Sequence, residues 1–135
     1  MGIELTKDSI DLGIVVRDAG AAMKFYGDTL GFEHVADTPM GAGMIMHRMM
    51  CGTSLIKLLE FPETPEQSPE PGGINAASGY RYWTISVSNL DELTASCKTD
   101  GYNVTVEPRE IRPGVRIAMV EDPDGNIVEF IENNE

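Results

Sequence analysis

One pattern is written twice along this chain of 135 residues. It consists of an apolar run, a helix-spaced stretch closed by glycine, and three further apolar runs. In the first half, Ile10 to Val16 reads as a buried strand, Asp18 as an N-cap, and Ala21 to Leu30 as a helix that Gly31 ends. Strands are expected over Phe32 to Ala36, Met44 to Met50 and Ser54 to Phe61, with Cys51-Gly52-Thr53 as a turn. In the second half, Tyr82 to Val87 is the first strand, Asn89 caps a helix from Leu90 to Asp100, and Gly101 closes it. Strands follow over Asn103 to Val106, Val115 to Val120 and Ile127 to Glu132, the last after the turn Asp122-Pro123-Asp124-Gly125. The landmarks repeat at a nearly constant distance. Asp11 precedes Tyr82 by 71 residues, Gly31 precedes Gly101 by 70, and Lys57 precedes Glu129 by 72. A duplicated β-α-β-β-β module follows.

A module of about 60 residues buries too little surface to be comfortable alone, so the two are expected to pack as one domain over 1–135. Module one runs over about 8–61 and module two over about 80–135. Between them, 62–79 holds Pro62, Pro65, Pro69 and Pro71 together with Gly72, Gly73 and Gly79. Such a stretch supports neither a helix nor a central strand, and reads as a linker or a lid.

Charge narrows the function classes. Ten Lys and Arg against 22 Asp and Glu leave a formal charge of −12, with no basic stripe for a phosphate backbone. Nucleic acid and anionic membrane surfaces are therefore not expected partners. No apolar run approaches the roughly 20 residues that span a bilayer. The first residues lack a secretory pattern, and Gly2 with Thr6 match a myristoylation pattern only loosely. Cys51 and Cys97 stand far apart without metal or redox spacing, which suits reduced thiols and a cytoplasmic location.

Several motifs carry a family likeness: Gly13-Ile14-Val15-Val16-Arg17-Asp18, Phe25-Tyr26, Leu30-Gly31-Phe32, Ile85-Ser86-Val87-Ser88-Asn89-Leu90, and Glu121 through the Asp-Pro-Asp-Gly-Asn turn to Glu129-Phe130. With these, the chain resembles the vicinal oxygen chelate superfamily, which includes glyoxalase I, methylmalonyl-CoA epimerase, extradiol dioxygenases, and fosfomycin and bleomycin resistance proteins. The resemblance implies an α+β fold in which two paired modules form a cup-shaped mixed sheet, usually in a homodimer. It also implies where metal-using members place their ligands. The first-strand position falls on Asp11, the fourth-strand position on Lys57, the fifth on Tyr82 and the last on Glu129. Of these, Glu129 alone is the usual residue type.

Lysine in such a place argues against a metal. A protonated amine has no lone pair to donate. Its charge beside a divalent ion about 4 Å away costs roughly 8 kcal/mol at an effective dielectric of about 20. No metal and no cofactor are therefore expected. Lys57 reads instead as the ion's replacement, buried with Asp11, Glu129 and Tyr82, so that Lys57→Ala should cost roughly 3–5 kcal/mol. The cluster admits a purely structural role, or a ligand-binding role for Lys57 and Tyr82 with Met46 and Arg48 on the neighbouring strand. A catalytic role would have Asp11 or Glu129 moving a proton while Lys57 and Tyr82 hold an oxyanion. His34 and His47 match no ligand position and read as surface or rim histidines, while Trp83 reads as packing. The methionines from Met40 to Met50 suit either core filling or an adaptable pocket. The resulting expectation is a small-molecule-binding protein of the glyoxalase/bleomycin resistance type. A metal-independent isomerase or lyase is the rival, and a divalent-metal lyase stands third.

Overall fold

Two four-stranded mixed sheets, each with a helix between its first and second strands, account for the chain in the computed structural model, which describes residues 2–134. The units divide after Pro65.

In the first, β1 (Asp11–Val15) leads to α1 (Ala19–Met23) and a π-helical turn (Lys24–Thr29). Then come β2 (Glu33–Gly41), β3 (Met44–Cys51) and β4 (Ser54–Glu60). The sheet order is β1-β4-β3-β2, with β1 parallel to β4 and the other pairs antiparallel. Asp18 caps α1 as the sequence predicts, its side chain accepting from the Ala21 amide at 3.1 Å. The single helix expected over Ala21 to Leu30 is instead an α-helical turn that widens into a π turn. Widening lets the adjacent rings of Phe25 and Tyr26 both be fully buried, packed edge to face with centroids 4.7 Å apart. Gly31, at φ +83°, reverses the chain so that the Phe32 amide donates to the Tyr26 carbonyl.

The second unit repeats the plan with β5 (Tyr82–Ser86), α2 (Leu90–Thr99), β6 (Val104–Arg112), β7 (Val115–Glu121) and β8 (Ile127–Asn133). Its order is β5-β8-β7-β6. The duplication holds at the level of register. Asp11 pairs with Leu55 and Gly13 with Lys57 in one unit, as Tyr82 pairs with Ile127 and Thr84 with Glu129 in the other. Asn89 does not cap α2 through its side chain; Glu132 on β8 accepts from the Leu90 amide at 3.0 Å and takes that role. The Asp122 turn is as strong as its residues imply. Its buried carboxylate accepts from the amides of Asp124 and Asn126 and from the Asn126 side chain, each at 2.9 Å.

The strands β2 and β6 run several residues further than the apolar pattern shows. Both are edge strands, where Pro39 and Pro108 remove no needed ladder bond. The segment 62–79 contains neither helix nor strand, and the Arg81 guanidinium gathers it by donating to the carbonyls of Glu70, Gly73 and Ile74. Among the described residues, no helix is long and apolar enough to cross a membrane.

Candidate functional site

Alternation along the strands sorts the first sheet into two faces. Ile56, Leu58 and Met49 lie against the helix, where a Cβ on Gly27 would come within 3.2 Å of the Met49 side chain. The opposite face carries Asp11, Gly13 and Val15 on β1, Leu55, Lys57 and Leu59 on β4, and Met46 and Arg48 on β3. Four of the residues singled out from sequence, Asp11, Met46, Arg48 and Lys57, thus share one face of three adjacent strands.

Their charges are arranged unequally. Lys57 Nζ lies 3.5 Å from Asp11 Oδ2, while Lys7 Nζ takes Oδ1 of the same carboxylate. The Lys7 hydrogen bond holds the Asp11 carboxyl below the usual carboxylate range; desolvation opposes it, and the charges of Lys7 and then Lys57 add lesser support. Arg48 is the direct cross-strand partner of Lys57, and its guanidinium approaches the Met46 sulfur at 3.5 Å. The side chains of Lys57 and Asp11 are 31% and 33% exposed, so the pair is not the buried cluster expected. Strand β1 is an edge of its sheet, which leaves Asp11 open on one side, whereas Lys57 lies on the inner strand β4.

In the second unit, Tyr82 and Thr84 on β5 share a face with Ile127, Glu129 and Ile131 on β8 and with Ile117 and Met119 on β7. Thr84 Oγ1 donates to Glu129 Oε1 at 2.7 Å, and on the same face Ile117, Met119 and Ile127 form a buried cluster against which the partly buried Val106 and Ile131 pack. Tyr82 is 46% exposed. Where the second unit places Thr84 beside Glu129, the first places Gly13 beside Lys57. A Cβ at Gly13 would meet only the Leu59 side chain, at 3.9 Å, so the position paired with Lys57 on β1 carries no side chain and has room around it.

The helix-side face of the first sheet holds a second polar group. His47 is a buried residue rather than a rim one, at 8% exposure. Its Nδ1 lies 2.7 Å from Asp37 Oδ1 and its Nε2 3.1 Å from Glu60 Oε1, while His34 Nε2 lies 2.6 Å from the same Asp37 oxygen. Burial pulls the His47 pKa down, but hydrogen bonds to Asp37 and Glu60 outweigh it, and the net shift is upward. Asp37 in turn is held low, first by His47 and then by His34. The signal available in sequence was the hairpin turn at Gly52, which fixes β3 against β4 and sets Glu60 diagonal to His47. The approach of His34 depends on a β-bulge between His34 and Ala36, which no residue type announces.

A family model described as the Glyoxalase/Bleomycin resistance protein/Dioxygenase superfamily matches residues 9–130. An uncharacterised protein of Bacillus subtilis, YurT, is 28% identical over 123 residues, covering 88% of this chain and 94% of its own. A lactoylglutathione lyase of Haemophilus influenzae is 42% identical over 59 residues, a stretch that covers 41% of this chain and 43% of that enzyme. A solved structure of a glyoxalase family protein from Bacillus cereus superposes with a TM-score of 0.83 at 18% identity, covering 98% and 97% of the two chains, which shows a shared fold.

Proposed function

From the premise that this chain belongs to the Glyoxalase/Bleomycin resistance protein/Dioxygenase superfamily, we propose that it binds a small molecule through an anionic group, such as a carboxylate, phosphate or enolate oxygen, and does so without the divalent ion of its metal-using relatives. Lys57 and Arg48 hold the anion and Met46 supplies adaptable apolar contact beside them; within the second unit, Tyr82 is proposed as a ligand-binding residue. The protein acts as a cytoplasmic homodimer.

One observation carries the reading: two cations stand directly opposite each other across an antiparallel ladder. Cβ atoms in such pairs are about 4.5–5.5 Å apart, and like charges there are destabilising. Asp11 offsets part of this, yet its carboxylate is shared with Lys7. An incoming anion beside Gly13 would complete the compensation. The overall charge of −12 opposes such a ligand only at long range, where a Debye length of about 8 Å screens it. The donor set also argues against an ion at the position that the resemblance implies. Lys57 has no lone pair in its ammonium form, and it is already ion-paired with the neighbouring carboxylate at 3.5 Å.

The stretch shared with a lactoylglutathione lyase favours a second reading, a lyase or isomerase that needs no ion. Asp11 would move the proton and Lys57 hold the developing oxyanion, with Glu129 and Tyr82 offering the same two roles in the second unit.

Calorimetric titration with a panel of small carboxylates, phosphate monoesters and quaternary ammonium compounds tests the first reading. Anionic compounds should bind, and Lys57→Met should weaken them at least about tenfold, as expected for a charge-assisted contact. Binding confined to the ammonium compounds, or indifferent to Lys57→Met, overturns it. Turnover of lactoylglutathione or another panel compound that Lys57→Met abolishes while binding persists establishes the second reading. A stoichiometric ion lost on Glu129→Gln refutes metal independence.

A further inference from the structure

The geometry points to a divalent transition-metal site on the helix-side face of the first sheet, formed by His34 Nε2, Asp37 Oδ1 and His47 Nδ1. It lies on the face opposite Lys57, and does not rest on the function proposed above. The three ligand atoms all lie within 4.8 Å of one another. Both nitrogens already contact a single oxygen, at 2.6 and 2.7 Å. Metal–ligand bonds of about 2.0–2.2 Å in a tetrahedral site set donor atoms about 3.3 Å apart, so each histidine nitrogen needs to withdraw from that oxygen by only about 0.6–0.7 Å.

Strand pairing and one bulge set the three ligands side by side. Asp37 and His47 are direct cross-strand partners on β2 and β3. The bulge after His34 brings residues 34 and 37 to one face, although strict alternation would put them on opposite faces. Glu60 on β4 accepts from His47 Nε2 at 3.1 Å, which leaves Nδ1 to ligate and supplies the carboxylate–histidine–metal relay that orients such ligands. On binding, the ion takes the place of the protons now shared between the imidazoles and Asp37. The two carboxylates of Asp37 and Glu60 then balance its double charge. Two imidazoles and one carboxylate suit Zn²⁺, Co²⁺ or Ni²⁺ better than Mg²⁺ or Ca²⁺. The side chains of His34 and Asp37 are 37% and 50% exposed, so a fourth coordination position faces water, while the buried His47 anchors the inner side.

The test uses the full chain, stripped with chelator and dialysed against Zn²⁺ or Co²⁺ alone, with bound metal measured by elemental analysis and the cobalt absorption spectrum. One equivalent should bind, and the cobalt spectrum should show nitrogen and oxygen donors. His34→Ala and Asp37→Asn, both at exposed positions, should each abolish stoichiometric binding in protein whose circular dichroism is unchanged. Glu60→Gln should weaken it about 10–100-fold, while Glu129→Gln leaves it intact. Absence of a stoichiometric ion in the parent chain overturns the site, as does an ion that survives His34→Ala and Asp37→Asn.

Discussion

A lysine in mid-strand, with an arginine across the ladder and an aspartate on the neighbouring strand, sits in a local charge imbalance that packing does not relieve. Asp11 divides its two oxygens between Lys7 and Lys57, and both members of the Lys57 pair keep about a third of their surface in water. Exposed pairs of this kind contribute little, because solvent screens the attraction and ordering two side chains costs entropy. Lys57→Ala should therefore shift the thermal unfolding midpoint by no more than about 2 °C, since the lost ion pair is offset by relief of the repulsion with Arg48. Differential scanning calorimetry decides this, and a fall of ten degrees would mean that the lysine is structural. The residue types at these positions were legible from the repeat alone. Their exposure was not, because it depends on how much of each side chain the tertiary packing leaves uncovered.

At the level of elements, α2 shows how a cap can come from a distant part of the chain. Asn89 has the residue type for the job, yet the Leu90 amide finds Glu132, 42 residues away in sequence, on the last strand. That hydrogen bond first, and one from the Asn134 side chain second, hold the Glu132 carboxyl below its ordinary range. A carboxylate with a lowered folded pKa stabilises the native state above its unfolded value, near 4.3, and loses that contribution as pH falls through the folded value. Glu132→Ala should thus be less stable than the parent at pH 6–7, and the gap should shrink as the pH drops below about 4. Urea titrations at the two pH values measure it; a gap that does not depend on pH would assign the loss to packing. Strand lengths show a similar limit of local reading. Prolines at 39 and 108 suggest ends, and it is the edge positions of β2 and β6 that let those strands continue.

Across the whole molecule, two copies of one plan are joined by a segment that forms no regular structure and is gathered by a single guanidinium. Over 62–79 the segment contains Glu63, Glu66 and Glu70 but no Lys or Arg. A glutamate-specific protease should cut the native chain here before either sheet. Arg81→Ala, which frees the carbonyls of Glu70, Gly73 and Ile74, should speed cleavage after the nearby Glu66 several-fold by mass spectrometry. An unchanged rate would show that other contacts hold the segment. The sequence by itself determined the α+β class, the duplicated module, the paired positions of Lys57 and Glu129, and the family likeness. All of these rest on local signals: alternation, glycine where φ is positive, and a constant spacing between landmarks. Only the tertiary structure decided that Glu132 caps a helix and that His34 and Asp37 reach His47. Each of those depends on strand register or on a bulge, and register is a property of paired strands that neither strand encodes alone.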